Sequence, residues 1–238
     1  MESFSIVDIY ETKGAEYLFV IGYLLILIVF WRLMRSPGKM LRQIKDAVST
    51  LSAKILNIPQ GLYFNKNHTW THLGESGAAK VGLDDFLQHV IGDLQLSGLK
   101  NPGDSIKKGE LLAEVEQYGK QLKVYSPISG VVVETNAVLA ENPEMINADP
   151  YDKGWVYQIK PSNWMKDTSS CLLAEKASEW SDRELSRFKD FLSMGAMRKF
   201  SSEPAMMMLQ DGGEIRDHVL SELPEEVWKD FQKEFLNG

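Results

Sequence analysis

The chain has 238 residues, 44% hydrophobic and 25% charged, which suits one or two folded domains and not a disordered segment. A formal net charge of −7 excludes a generally basic, nucleic-acid-binding surface. Cys171 is the only cysteine, so an intrachain disulfide, a thiolate-held iron–sulfur cluster and a cysteine zinc site are excluded as well.

The first predicted element is apolar. Tyr17 to Trp31 (YLFVIGYLLILIVFW) carries no charge, and flanking residues extend the run over 17–34 if Glu16 and Arg32 turn their charges outward. Tyr17 and Trp31 sit where interfacial aromatics belong. The acidic residues Glu2, Asp8 and Glu11 argue against a cleavable signal peptide, which needs a basic start. The pattern predicts a transmembrane helix over 17–34, with residues 1–16 outside. Arg32, Arg35, Lys39, Arg42 and Lys45 follow closely. The positive-inside rule then predicts a single-pass protein of the cytoplasmic (inner) membrane, N-terminus outside and main domain in the cytoplasm. Residues 35–57 are expected to form a basic amphipathic linker helix, with Leu41, Ile44, Val48, Leu51 and Ile55 at helical spacing; a plain stalk is the alternative.

From 58 to 166 the pattern changes. Segments 69–73, 77–81, 94–98, 111–116, 122–125, 130–135 and 155–160 are short and rich in Val, Ile, Leu, Tyr and Trp. Gly, Pro, Asn and Asp punctuate them, which predicts a compact all-β barrel or sandwich. One helix interrupts it: Phe86, Leu87, Val90 and Ile91 recur at helical spacing behind Asp84 and Asp85. His68 and His72 are four apart, but in a strand that spacing is about 13 Å, too far to share a metal. No metal site is expected. His89 and His218 are read as surface or packing residues.

Gly119-Lys120 suits the two central residues of a type II′ hairpin turn between segments 111–116 and 122–125, because glycine tolerates the positive φ at the first position.

After Asp167 the strand-like runs stop. Ser181 and Glu184 have capping-box spacing, with Leu185, Phe188, Phe191 and Leu192 behind them. Further short helices are expected near 203–210 and 214–222 and from Pro224 onward, the last with Val227, Trp228, Phe231 and Phe235 on one side. The cluster Met206-Met207-Met208 is read as a packing face, with partner binding left open. These helices should pack on the β domain or on a partner. Fifteen acidic against nine basic residues from Asp167 onward argue against their lying on an anionic membrane.

A set of motifs points to one family. Asn67-His68-Thr69-Trp70, Lys80-Val81-Gly82-Leu83-Asp84-Asp85-Phe86, Pro102-Gly103-Asp104 and Lys108-Gly109-Glu110 come in order. Val115-Glu116, Tyr125-Ser126-Pro127, Ser129-Gly130-Val131-Val132 and Asn142-Pro143-Glu144 follow, with Asp149-Pro150-Tyr151 and Gly154-Trp155 at the end. From about Leu62 to Trp164 the chain resembles the H-protein of the glycine cleavage system. The resemblance implies a mainly β, lipoyl-type barrel-sandwich hybrid, here with an N-terminal transmembrane helix and a helical C-terminal extension (167–238). It also implies a lipoyl-lysine three residues after Glu116. That position holds Gly119, although the eight residues between Glu116 and Tyr125 match the family spacing.

A glycine carries no amine. The leading expectation is therefore a non-catalytic protein without a cofactor: a scaffold or docking subunit of a membrane-bound, redox-type complex, bound to other subunits and to no small-molecule substrate. The alternative is a carrier with lipoate on Lys120, one residue past the family position. A third reading, ordinary work in glycine cleavage, is disfavoured by the missing lysine and the apolar run. No Walker loop, dinucleotide fingerprint, nucleophile elbow or paired-carboxylate pattern occurs, so no catalytic residue is assigned.

Overall fold

The computed structural model describes residues 17–28, 50–51, 56–199, 209–210 and 214–237. The chain divides into two compact units, Met1–Lys45 and Asp46–Gly238. In the first, helix α1 spans 17–28, with Tyr17, Leu18, Phe19 and Leu25 exposed. Among the described residues no helix is long and apolar enough to cross a membrane, which corrects the transmembrane reading; residues 29–34 lie outside the described residues.

The second unit begins with strand β1 (Thr50–Leu51). The linker helix expected over 35–57 is thus replaced by a strand at these two residues, while 35–49 and 52–55 lie outside the described residues. There follow β2 (Tyr63–Asn65), β3 (Thr69–Leu73), β4 (Ala79–Leu83), α2 (Asp85–Ile91), β5 (Gln95–Ser97) and β6 (Ser105–Ile106). Next come β7 (Leu111–Gln117), β8 (Lys120–Tyr125), β9 (Gly130–Thr135), the short helices α3 (Val138–Glu141) and α4 (Met145–Ala148), β10 (Tyr157–Pro161) and α5 (Trp164–Thr168). The C-terminal part contains α6 (Ala174–Lys199), β11 (Leu209–Gln210), β12 (Glu214–Arg216), α7 (Val219–Glu222), α8 (Glu225–Phe231) and a π-helical turn, Gln232–Leu236.

The fold is mainly sheet with a helical C-terminal part. A six-stranded antiparallel sheet has the order β2-β3-β4-β10-β9-β6, and a second sheet has the order β5-β7-β8. Val81, Leu83 and Ile159 of the first meet Val115, Leu122 and Val124 of the second in one core. Alternation along β8 explains this: Leu122 and Val124 point inward while Gln121 and Lys123 are exposed. Gly82 stands opposite Trp70, and a Cβ there would lie 2.7 Å from the indole, so only glycine lets the fully buried ring lie flat on β4. Helix α2 starts as its sequence demands, with Asp84 Oδ1 accepting from the Leu87 amide at 3.0 Å.

The C-terminal part packs on the β unit. Phe188 and Phe191 of α6 meet Phe231 and Phe235, and Phe188 meets Phe86, with ring centroids 5.5–6.2 Å apart. Two expectations are corrected. Helix α6 begins at Ala174, so Ser181 lies buried inside it and its hydroxyl caps nothing. β11 and β12 pair where the end of the helix expected over 203–210 and the start of the one over 214–222 should lie, while α7 keeps the end of the latter; residues 203–208, including Met206–Met208, lie outside the described residues.

Candidate functional site

The hairpin β7–β8 carries the site. Tyr118 and Gly119 both have positive φ, 49° and 76°, and Gln117 pairs with Lys120 across them. Two central residues with positive φ make a type I′ turn, so the turn sits one residue earlier than the predicted type II′ turn on Gly119-Lys120. The reason is register. Leu122 and Val124 must face the core, and a one-residue slip would turn both outward. Tyr118 is 84% exposed at the tip.

Gly119 has no side chain, and the space a Cβ would enter is open to 4 Å. Lys120 begins β8 in phase with Leu122 and Val124, so its side chain runs along the inward face. There Nζ donates to the carbonyls of Ser221 and Leu223, both at 2.7 Å, and stands 5.4 Å from the Trp228 ring. Burial pushes the amine below the ordinary lysine value. Lys123 is exposed and lies on the opposite face of the strand.

Gln117 anchors the hairpin. Its Nε2 donates to Ile91 O at 3.0 Å and Asp93 O at 2.7 Å, tying β7 to the end of α2. On the outermost strand of this sheet, the Gln232 side chain accepts from Lys123 N at 2.6 Å and donates to Lys123 O at 3.1 Å.

Two polar clusters escaped sequence reasoning. His68 is fully buried, with Nδ1 2.8 Å from Asp84 Oδ2 and Nε2 3.6 Å from Glu184 Oε1. Burial lowers its pKa, but the two carboxylates outweigh that and raise it to about 9. His89 Nδ1 meets Asp217 Oδ1 at 2.8 Å, with Asp85 3.6 Å from its Nε2. Burial again opposes the charge, yet Asp217 and Asp85 leave this imidazole above its ordinary value. Asp84 was legible as a helix cap, but not its imidazole partner or the distant Glu184. His72 lies in β3 and is exposed, apart from the cluster. Among the described residues, no cluster of His, Cys, Asp and Glu suits a metal ion.

A sequence profile described as "Glycine cleavage H-protein" matches residues 62–184, just over half of the chain. The chain belongs to the glycine cleavage H-protein family. It is 40% identical over 123 residues to a probable glycine cleavage system H protein of Pyrococcus abyssi, covering 52% of this chain and 91% of that protein. It is 36% identical over 124 residues to the glycine cleavage system H protein of Thermus thermophilus, covering 52% and 95%. The crystal structure of a glycine cleavage system H protein from Mycobacterium marinum aligns with a TM-score of 0.44 at 27% identity, covering 53% of this chain and 98% of that one. The match reaches Glu184, so the first part of α6 belongs to the family region, which sequence reading ended near Trp164.

Membership makes the chain a non-catalytic protein that works with protein partners. It also corrects three expectations. The non-lipoylated membrane scaffold is overturned by relatives that are glycine cleavage system H proteins across nearly their whole length. The absence of a cofactor falls with it, since the H-protein is a lipoyl carrier and an amine stands at this hairpin, one residue past the family position. The single-pass inner-membrane placement is overturned by the same relatives and by the absence, among the described residues, of a helix able to cross a bilayer.

Proposed function

We propose that the chain is a lipoyl carrier of the H-protein kind, with lipoate in amide linkage to Nζ of Lys120, and that it passes the carried group between enzymes of a glycine cleavage system. The observation that carries this reading is the position of Lys120. It is the first residue after the turn of the hairpin that resembles the family's lipoyl hairpin, and Gly119 before it has no amine.

The residues around Lys120 fit an attachment point. Gln117, paired with it across the turn, holds the hairpin through two hydrogen bonds. Attachment exchanges one N–H of the Lys120 amine for a bond to an acyl carbon; the activated acyl donor loses its leaving group and the proton passes to solvent. Lipoate supplies a dithiolane ring that opens to accept an aminomethyl or acyl group or an electron pair. The chain's own part is to hold the amine at the end of a stiff hairpin and to present Tyr118 and Gly119 beside it. A lipoyl-type barrel-sandwich hybrid over about 58–166 is part of the same reading, supported by the two sheets that share one core.

Intact mass of the native protein tests it. The mass should exceed that of the sequence by one lipoyl group, and Lys120→Arg should abolish the excess. A mass equal to the sequence, or lipoate on another lysine, overturns the proposal.

A further inference from the structure

We infer that the turn Ser221–Leu223 is a cover seated on Lys120, which docks while the amine is a free cation and lifts when the amine is acylated. The inference rests on Lys120 being the attachment point for its biological meaning, but its geometry is independent of lipoate.

Helix α7 is only four residues long, and its C-terminal carbonyls need donors. Side chains supply them. Trp228 Nε1 donates to Leu220 O at 2.7 Å, and Lys120 Nζ donates to Ser221 O and Leu223 O. A cation at a helix C-terminus also meets the negative end of the helix dipole. The Trp228 ring adds a cation–π contact. Lys120 is thus the C-cap of an element 101 residues further along the chain.

Acylation removes this cap. An ammonium has three N–H bonds and a full charge; a secondary amide has one N–H and none. At least one of the two carbonyls loses its donor, and the attraction to the ring and the dipole disappears. Docking of the cover and acylation of Lys120 therefore oppose each other, and by linkage each weakens the other by the same factor. What lifts is local. Val219 and Leu220 stay in the core with Phe231 and Phe235, and the flanks stay held by the Gln232 amide on Lys123, the His218 N–H on His89 O and the His89–Asp217 pair.

Two measurements on the full chain with Lys120 unmodified, produced in cells without lipoyl ligase and checked by intact mass, test this. In the first, limiting N-hydroxysuccinimide acetate acetylates the lysines: neutral Nζ attacks the ester carbonyl, the N–C bond forms, the C–O bond to N-hydroxysuccinimide breaks and the amine proton goes to solvent. Mass spectrometry then compares Lys120 with exposed Lys123. Lys120 should react at least about tenfold more slowly, the factor that one modest interaction supplies. Asp217→Asn, which loosens the flank without touching Lys120, should narrow that gap. In the second, amide hydrogen exchange over 219–228 should quicken in Lys120→Met while β3 and β4 exchange unchanged. Equal labelling of Lys120 and Lys123 in the unmodified chain overturns the inference, as does unchanged exchange over 219–228 in Lys120→Met. Neither readout needs lipoate, so a missing lipoyl mass sinks the carrier reading alone.

Discussion

Nε2 of His68 stands 3.6 Å from Oε1 of Glu184, so helix α6 is joined to the approach to β3 by an ion pair that water does not reach. Asp84 completes the cluster at 2.8 Å and caps α2 with its other oxygen. Three elements distant in sequence therefore depend on one protonated imidazole.

That dependence sets a pH signature. The folded pKa of His68 is raised to about 9 from an ordinary 6.5. A raised histidine stabilises fully below the unfolded value and loses that contribution as pH climbs through the folded one. Stability should fall by on the order of 3 kcal/mol between pH 6.5 and pH 9.5. Asp84 supplies the larger part of that rise in pKa and Glu184 a smaller one, so Glu184→Gln should cost about 1 kcal/mol at pH 6.5 and less at pH 9.5. Urea titrations of both proteins at the two pH values check this.

Gly119 gives a prediction of gain. Its φ of 76° is left-handed, and the space around its Cβ position is open. Gly119→Lys should cost only about 1 kcal/mol for the left-handed backbone, read as a melting temperature lower by a few degrees. The introduced amine stands at the family position and starts from open space. A lipoyl ligase assay should modify it faster than Lys120, with the site assigned by peptide mass spectrometry.

Gln117 should matter more than a turn-flanking glutamine ordinarily does. Gln117→Ala leaves the carbonyls of Ile91 and Asp93 without their donor. The expected loss is about 1–3 kcal/mol. Hydrogen exchange over 115–122 should accelerate, with the six-stranded sheet little affected.

Gly82 tests the β core. Gly82→Ala places a methyl 2.7 Å from the Trp70 indole, whose ring is fully buried and has no room to retreat. A loss of about 1–3 kcal/mol is expected, measured by chemical denaturation and by the near-ultraviolet dichroism of the tryptophan.

The sequence made much of the β unit legible, and the reasons are local. The strand at 130–135 and the helix behind Asp84 follow from alternation, turn residues and a cap. The hairpin turn was misplaced by one residue because Gly119-Lys120 suits a II′ turn by itself. The register is decided by Leu122 and Val124, whose inward phase extends to Lys120 and could have been read back to it. Strands of two and three residues at 209–216 are too short for a period-two pattern. The start of α6 was missed because Ser181 and Glu184 mimic a cap while lying mid-helix. Glu184 faces His68, 116 residues earlier, and Lys120 faces Ser221; no local pattern encodes such pairings.

The amide of Gln232 occupies both main-chain groups of Lys123 on β8, which among the described residues pairs with no further strand on that side. It does there what one rung of a further strand would do. A chain cut short before that glutamine would bare an unsatisfied ladder margin to its fellows, and strand addition between molecules begins from such margins. The C-terminal residues thus guard the protein against polymerising with itself.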